Sequence, residues 1–269
     1  MSKTARSSPA SRAGTAVYAY AVVRASRVPA LARLPAGLPG AGRPRALELG
    51  SGLWLVVADV PLSQYGTEVI EANLRDLQWV GARALGHETV VESLAGKYPT
   101  VPLKLFTLFG GEERARAQLG ADRARLGRVM KRIEGCAEWG VRVGFDELAA
   151  RRKAQAESRA EARGNSGTAF LLKKKKEQQL SRELLGRAQA QVEAVFDALA
   201  ALARDARRRP PGQAELGARI LLEAAFLVPA KDRKRFEKAA SSQARALSPA
   251  GYTLTLTGPW PVYNFVAES

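Results

Sequence analysis

Leu254-Thr255-Leu256-Thr257-Gly258-Pro259-Trp260-Pro261-Val262-Tyr263-Asn264-Phe265-Val266 is the stretch from which the rest of this 269-residue chain is most easily read. Leucine and threonine alternate from Leu254 to Thr257, the period of a strand with one buried face. Two prolines then bracket Trp260. Each fixes φ and lacks an N–H, so the ladder is expected to end here and the chain to leave the sheet as a stiff arm. That arm carries Trp260, Tyr263 and Phe265. Large aromatics on a pre-stiffened segment bury much surface at small entropic cost, which suits docking. Capping of the last domain's core is the plainer alternative.

Working upstream, Ala218 to Val228 reads as a strand, Pro229 leads into a helix from about Lys231 to Leu247, and Gly251 returns to the strand from Tyr252 to Thr257. Strand–helix–strand predicts an α+β layer. Glu138 to Phe145 alternates and is expected to add a third strand. Between them, residues 147–209 are rich in Ala, Arg, Lys, Glu and Gln, and divide near Arg163-Gly164-Asn165-Ser166-Gly167. From Leu171 to Leu202 apolar residues recur at spacings of three, four and seven, which predicts one long amphipathic helix. Pro210-Pro211-Gly212 closes the insertion.

The first half has a similar grammar. Val17 to Val23 is a strand, followed by a loop rich in proline and glycine through Pro44. Ala46–Leu49, the turn Gly50-Ser51-Gly52 and Leu53–Val60 predict a hairpin. Helical spacing from about Thr67 to Leu94 predicts two helices broken near Gly81–Gly86. Val101 to Phe109 returns to strand, and Glu112 to about Ala137 is expected to be one helix with two glutamates at its positive end. The expected domains are a disordered lead-in over 1–14, an N-terminal α+β domain over 15–111, and a C-terminal α+β domain over 112–269 with the helical insertion at about 147–209.

Composition narrows the function classes. With 46% hydrophobic residues the chain has material for real cores. No run approaches the roughly 18–20 apolar residues of a membrane span. Met1 to Gly14 has no apolar stretch of the kind a secretory signal needs. One cysteine and one histidine leave no disulfide framework and too few ligands for a structural zinc site. The net charge of +16 admits nucleic acid, anionic membrane or acidic protein partners without choosing among them. Arginines in Ala/Arg/Gly-rich sequence often reflect a GC-rich genome, so the charge by itself names no function.

Few residues suggest chemistry. His87-Glu88 could form an acid/base pair, but no nucleophile or metal motif stands beside it, and a helix-surface or cap pair is the simpler reading. Cys136 has no neighbouring base in sequence and reads as a packed thiol. There is no glycine loop ending in Lys-Ser/Thr and no GxGxxG after a strand. Gly110-Gly111 precedes acidic residues that would repel a phosphate. Lys173-Lys174-Lys175-Lys176 reads as a solvated helix face, or as a contact for an acidic partner or for phosphates. It lacks the interleaved aromatics of single-strand binders. A basic nucleic-acid-binding protein is the alternative reading.

At Leu256–Phe265 the chain resembles the gas vesicle accessory proteins F and L, whose C-terminal hallmark is L-T-G-P-W-P-x-Y-N-F, with Val262 here in the variable slot. Supporting stretches stand in order: Tyr18–Val23, His87–Glu92, Val101–Phe109 and Glu138–Val143, so the resemblance spans roughly residues 16–266. Within the third, Lys104, Leu105 and Leu108 vary the usual P-L-R-F-G-T-V-F. The resemblance implies two α+β domains with ferredoxin-like elements, the second bearing a coiled-coil-like helical projection. It implies a non-enzymatic assembly factor without cofactor, located at the gas vesicle in the cytoplasm. Its implied partners are the small hydrophobic shell protein and other accessory proteins, with no small-molecule substrate and no membrane span. Trp260, Tyr263, Asn264 and Phe265 are the expected partner or interdomain contacts.

Overall fold

The structure, a computed structural model, describes residues 14–152, 169–212 and 219–266. The expected lead-in lies almost wholly outside the described residues. Two compact units divide the chain, Met1–Gly135 with Pro261–Ser269, and Cys136–Trp260.

The first unit contains β1 (Thr15–Arg24), β2 (Arg45–Gly50), β3 (Leu53–Pro61), the short helices α1 (Leu62–Tyr65) and α2 (Thr67–Asn73), and α3 (Leu77–Ala95). It continues with β4 (Thr100–Pro102), β5 (Leu108–Phe109), α4 (Glu112–Ala121) and α5 (Arg123–Ile133). The antiparallel sheet runs β2-β3-β1-β4, with β5 also on β1. β1 is central, and every residue from Ala16 to Val23 is buried, which is why its sequence is continuously apolar instead of alternating. The β2–β3 hairpin forms as expected.

Three local expectations are corrected. The helical stretch breaks at residues 74–76 and not near Gly81–Gly86, because Asp76 Oδ1 accepts from the N–H groups of Gln78 and Trp79 (2.9 and 3.1 Å) and starts α3 there. Residues 101–109 are not one strand: Pro102 donates no ladder bond, Phe106 has φ +63°, and Thr107 N–H closes a turn onto the Lys104 carbonyl. The helix expected over 112–137 is two, because Asp122 (φ −85°, ψ 6°) departs from helical geometry. The domain boundary also moves, from 111 to 135. Arg45 Nε donates to Glu112 (3.0 Å), Arg24 to the Gly127 carbonyl (2.9 Å) and Arg123 to the Leu49 carbonyl (3.3 Å), so both helices belong to the first sheet.

The second unit consists of β6 (Cys136–Phe145), α6 (Ala169–Ala200), β7 (Asp205–Arg208), β8 (Arg219–Pro229), α7 (Arg233–Leu247) and β9 (Tyr252–Trp260). Its antiparallel sheet runs β7-β8-β6-β9. The core joins Val141, Val143, Phe145 and Phe226 of the sheet to Val192, Val195 and Leu199 of α6 and to Phe236, Ala240 and Leu247 of α7. The long helix is where its spacing placed it. β7 was not expected, since Asp205–Arg208 has no apolar alternation and becomes a strand only by pairing with β8. β9 also runs past the first proline: Trp260 still pairs with Glu138 after a register shift. At the shift Gly258 has φ +121°, and a Cβ there would lie 2.9 Å from the Glu138 carbonyl.

The two sheets share one strand order, second-third-first-fourth within each unit. They differ in the crossover from first strand to second. In the first unit this is the proline- and glycine-rich loop of residues 25–44; in the second it carries α6.

α3 supplies a test. Gly86 lies inside the helix, yet a Cβ there would sit 2.6 Å from the Gly37 carbonyl oxygen, whereas Gly81 has nothing within 4 Å. Gly→Ala in an open helix interior stabilises by about 0.5–1 kcal/mol. Gly81→Ala is therefore expected to raise the thermal midpoint and Gly86→Ala to lower it. The same sign for both would refute this account of Gly86.

Candidate functional site: the C-terminal arm and its seat

The segment after Trp260 packs within the first unit. Val262 and Phe265 are buried, and Tyr263 and Asn264 are half-buried. The Tyr263 ring joins the core cluster built from Tyr18, Tyr20, Tyr65, Val90 and Val91. Its hydroxyl donates to Glu88 Oε2 at 2.7 Å. Arg132 on α5 donates to the Phe265 carbonyl. Arg125, two turns earlier on the same face of α5, donates to the Val266 carbonyl at 3.3 Å. The arm is thus held by an apolar plug, one side-chain hydrogen bond to a carboxylate, and guanidinium bonds to its own backbone.

The four residues expected to act together are separated. Tyr263, Asn264 and Phe265 belong to this seat, while Trp260 stands at the end of β9 in the second unit and is 42% exposed. Val262, the variable position, was not singled out, yet at 4% exposure it is buried like Phe265. Arg125 and Arg132 were likewise unremarked. An arginine-rich amphipathic helix does not say which guanidinium will meet a backbone carbonyl more than a hundred residues away.

His87 and Glu88 do not form an acid/base pair. Neighbours on α3 point to different partners. Glu88 meets the arm. His87 is buried, its Nδ1 2.7 Å from Tyr18 Oη and its ring stacked on Tyr20 at 5.7 Å between centroids. Tyr18 Oη also accepts from Phe106 N–H (3.4 Å), leaving its proton for Nδ1 and placing the imidazole hydrogen on Nε2. Burial pushes His87 down to about 4, with the Leu103 backbone acting in the opposite direction. The imidazole is a neutral core group. The surface or cap placement expected for it is corrected, because Tyr18 needs a buried acceptor.

Burial raises the Glu88 carboxyl, with the Tyr263 hydroxyl acting to lower it, and burial followed by Glu88 raises Tyr263. Cys136 begins β6, half-buried, and burial raises its thiol too, partly offset by Arg204. This is the reverse of an activated nucleophile. Among the described residues no group of three His, Cys, Asp or Glu could hold a metal ion, and no helix is long and apolar enough to cross a membrane. Lys173–Lys176 fall in the backbone of α6, and their side chains lie outside those described.

Residues 16–267, covering both units and the arm, match the family described as "Gas vesicle synthesis protein GvpL/GvpF". The chain belongs to the GvpL/GvpF family. It is 31% identical over 254 residues to gas vesicle protein L of Streptomyces sp. (strain CB03234), an alignment covering 92% of this chain and 91% of that one. Two crystal structures share the fold. GvpF of Anabaena sp. PCC7120 superposes with a TM-score of 0.68 at 16% identity, over 95% of this chain and 97% of that one. GvpF of Microcystis aeruginosa gives 0.66 at 14%, over 94% and 99%. The stretch Leu256–Phe265, which carries the resemblance, coincides with the bulged end of β9 and the seated arm.

Two measurements probe the seat. Tyr263→Phe deprives a half-buried carboxylate of its donor and is expected to cost about 1–3 kcal/mol at neutral pH. The folded-state value of Glu88 already lies above its unfolded value, so its unfavourable contribution appears as pH rises through the carboxylate range. The Tyr263→Phe deficit should accordingly be small near pH 4 and grow toward pH 7 in urea unfolding; a pH-independent deficit would refute it. For His87 the sign is opposite, since its folded value of about 4 lies below the usual 6.5. Stability should fall by roughly 3 kcal/mol as pH drops from 6.5 to 4. His87→Gln should flatten that limb of the curve, and an unaltered limb would exclude His87 as its cause.

Proposed function

We propose that this chain is a non-enzymatic accessory protein of gas vesicle assembly. It binds the small hydrophobic shell protein and other accessory proteins to support nucleation or growth of the gas-filled shell, working in the cytoplasm at the vesicle. The observation that carries the reading is the family match across residues 16–267, since it takes in both sheets and the arm together. A part in gas vesicle assembly follows from membership. The finer steps are the binding of the shell protein and the surface used.

The chemistry favours this role over catalysis. His87 is committed to Tyr18, Glu88 to Tyr263, and the Cys136 thiol is raised by burial. A shell subunit with an apolar gas-facing side must be kept from misassociating before it is incorporated, which a helper with apolar or aromatic docking surfaces can do. We assign the arm two parts. Tyr263, Asn264 and Phe265 anchor it, and Trp260, the exposed aromatic, is the contact available to a partner protein. The order β-α-β-β-α-β in the second unit, with sheet order β7-β8-β6-β9, supports a ferredoxin-like reading of that unit. We read α6 as its coiled-coil-like projection.

Cells lacking this chain in an otherwise complete gas vesicle gene set should form few vesicles by electron microscopy, and a normal yield would reject the assembly role. Purified Trp260→Ala should melt within a degree or two of wild type and bind shell protein roughly tenfold more weakly. Unchanged affinity would reject Trp260 as the contact. A large fall in melting temperature with unchanged affinity would make it a packing residue instead.

A further inference from the structure

The outer face of α7 gathers basic residues on one short segment. Lys231, Arg233, Lys234, Arg235 and Lys238 are all exposed, within the three-ten turn Ala230–Asp232 and the first turns of α7. Phe236, Ala240 and Leu247 of the same helix are buried in the core, so the basic residues are held outward by packing and not by chance. Lys231–Arg235 and Lys234–Lys238 are i,i+4 pairs of like charge, and Lys231–Lys234 and Arg235–Lys238 are i,i+3 pairs. Each such pair destabilises a helix. The cluster also lies at the positive end of the helix dipole, where cations are unfavourable. Only Asp232 and Glu237 interrupt the run, and Glu237 is engaged by Arg233 at 3.1 Å.

Two arginines of the same unit do have acidic partners: Arg208 pairs with Glu193, and Arg142 with Glu223 at 3.0 Å. The α7 cluster therefore stores local repulsion on a rigid, core-anchored helix. An anionic partner would relieve it.

We infer that the N-terminal half of α7 is a docking face for a carboxylate-rich protein segment. Charge complementarity identifies the class of partner, and the size of the face narrows it further. From Lys231 to Lys238 the patch spans about 10–12 Å at the helical rise of 1.5 Å per residue, enough for a few successive acidic side chains. That is short for tracking a nucleic-acid backbone. The nearest ring, Trp139 beneath Arg233, is buried and offers no surface for stacking bases. The inference stands on the charges of the second unit alone and holds whichever surface meets the shell protein.

The test uses the full chain and the double variant Lys234→Glu/Arg235→Glu. The substitutions place acids in the first turn of α7 and create attractive i,i+4 pairs with Lys231 and Lys238, so the variant should melt about 2–4 °C higher than wild type. The probe is a fluorescein-labelled peptide of eight glutamates, read by anisotropy across a salt series. Wild type should bind it in a salt-sensitive manner, and the variant at least about tenfold more weakly. Opposite signs for stability and binding separate docking from loss of fold. Equal binding by the two proteins would overturn the proposal, as would a variant that melts lower than wild type. A 20-base-pair duplex, or vesicles containing phosphatidylserine, bound more tightly than the peptide and lost in the variant, would overturn it in favour of a phosphate ligand.

Discussion

The first unit is organised by the need of wholly buried tyrosines on its central strand to find hydrogen-bond partners. Tyr18 and Tyr20 have no exposed surface, and an unmade hydrogen bond in that setting costs about 1–3 kcal/mol. Tyr18 takes His87 of α3 and the Phe106 N–H; Tyr20 accepts from the Leu38 N–H at 3.2 Å. Tyr65 follows the same logic, donating to the Pro39 carbonyl at 2.7 Å. These contacts place α3, the irregular stretch between β4 and β5, and the proline-rich crossover against one strand. Gly37 and Gly86 complete the arrangement by letting backbone approach where any side chain would collide.

The arm is seated on the same framework. Glu88, next to His87 on α3, receives the Tyr263 hydroxyl, and the ring enters the cluster that contains Tyr18. Adjacent helix positions thus serve the sheet and the arm separately. The arrangement raises Glu88 and Tyr263 and lowers His87, all through burial first, so packing accounts for these shifts. Perturbed groups are often a sign of active sites. Here His87 meets Tyr18, and Glu88 meets Tyr263, inside the packed first unit.

Sharing one strand order, the two units show how a crossover can change while a sheet persists. A loop of prolines and glycines needs tyrosine hydroxyls to pin it. A helix in the same topological place supplies its own apolar face, with Val192, Val195 and Leu199 in the core. This difference also explains what could be read in advance. The α6 spacing, the hairpin around Gly50–Gly52 and the strand–helix–strand ending at Thr257 are local patterns, legible without coordinates. β7 was not legible, because Asp205–Arg208 has no pattern of its own and owes its strand geometry to β8. The α3 start was missed for a related reason: two glycines stood out in the sequence, but the Asp76 cap decided the break.

By itself, the sequence determined the α+β class, most of the strands and helices, and, through the Leu256–Phe265 motif, the family. These are carried by side-chain period, turn chemistry and a rare residue combination, all of them local. Tertiary structure alone decided that the arm packs with the first unit, that Val262 is as buried as Phe265, that Trp260 stays outside, and that α4 and α5 belong before the boundary. Those outcomes depend on which donors and cavities lie across the fold, such as Arg132 beside the Phe265 carbonyl, and no periodicity along the chain encodes such distant pairings.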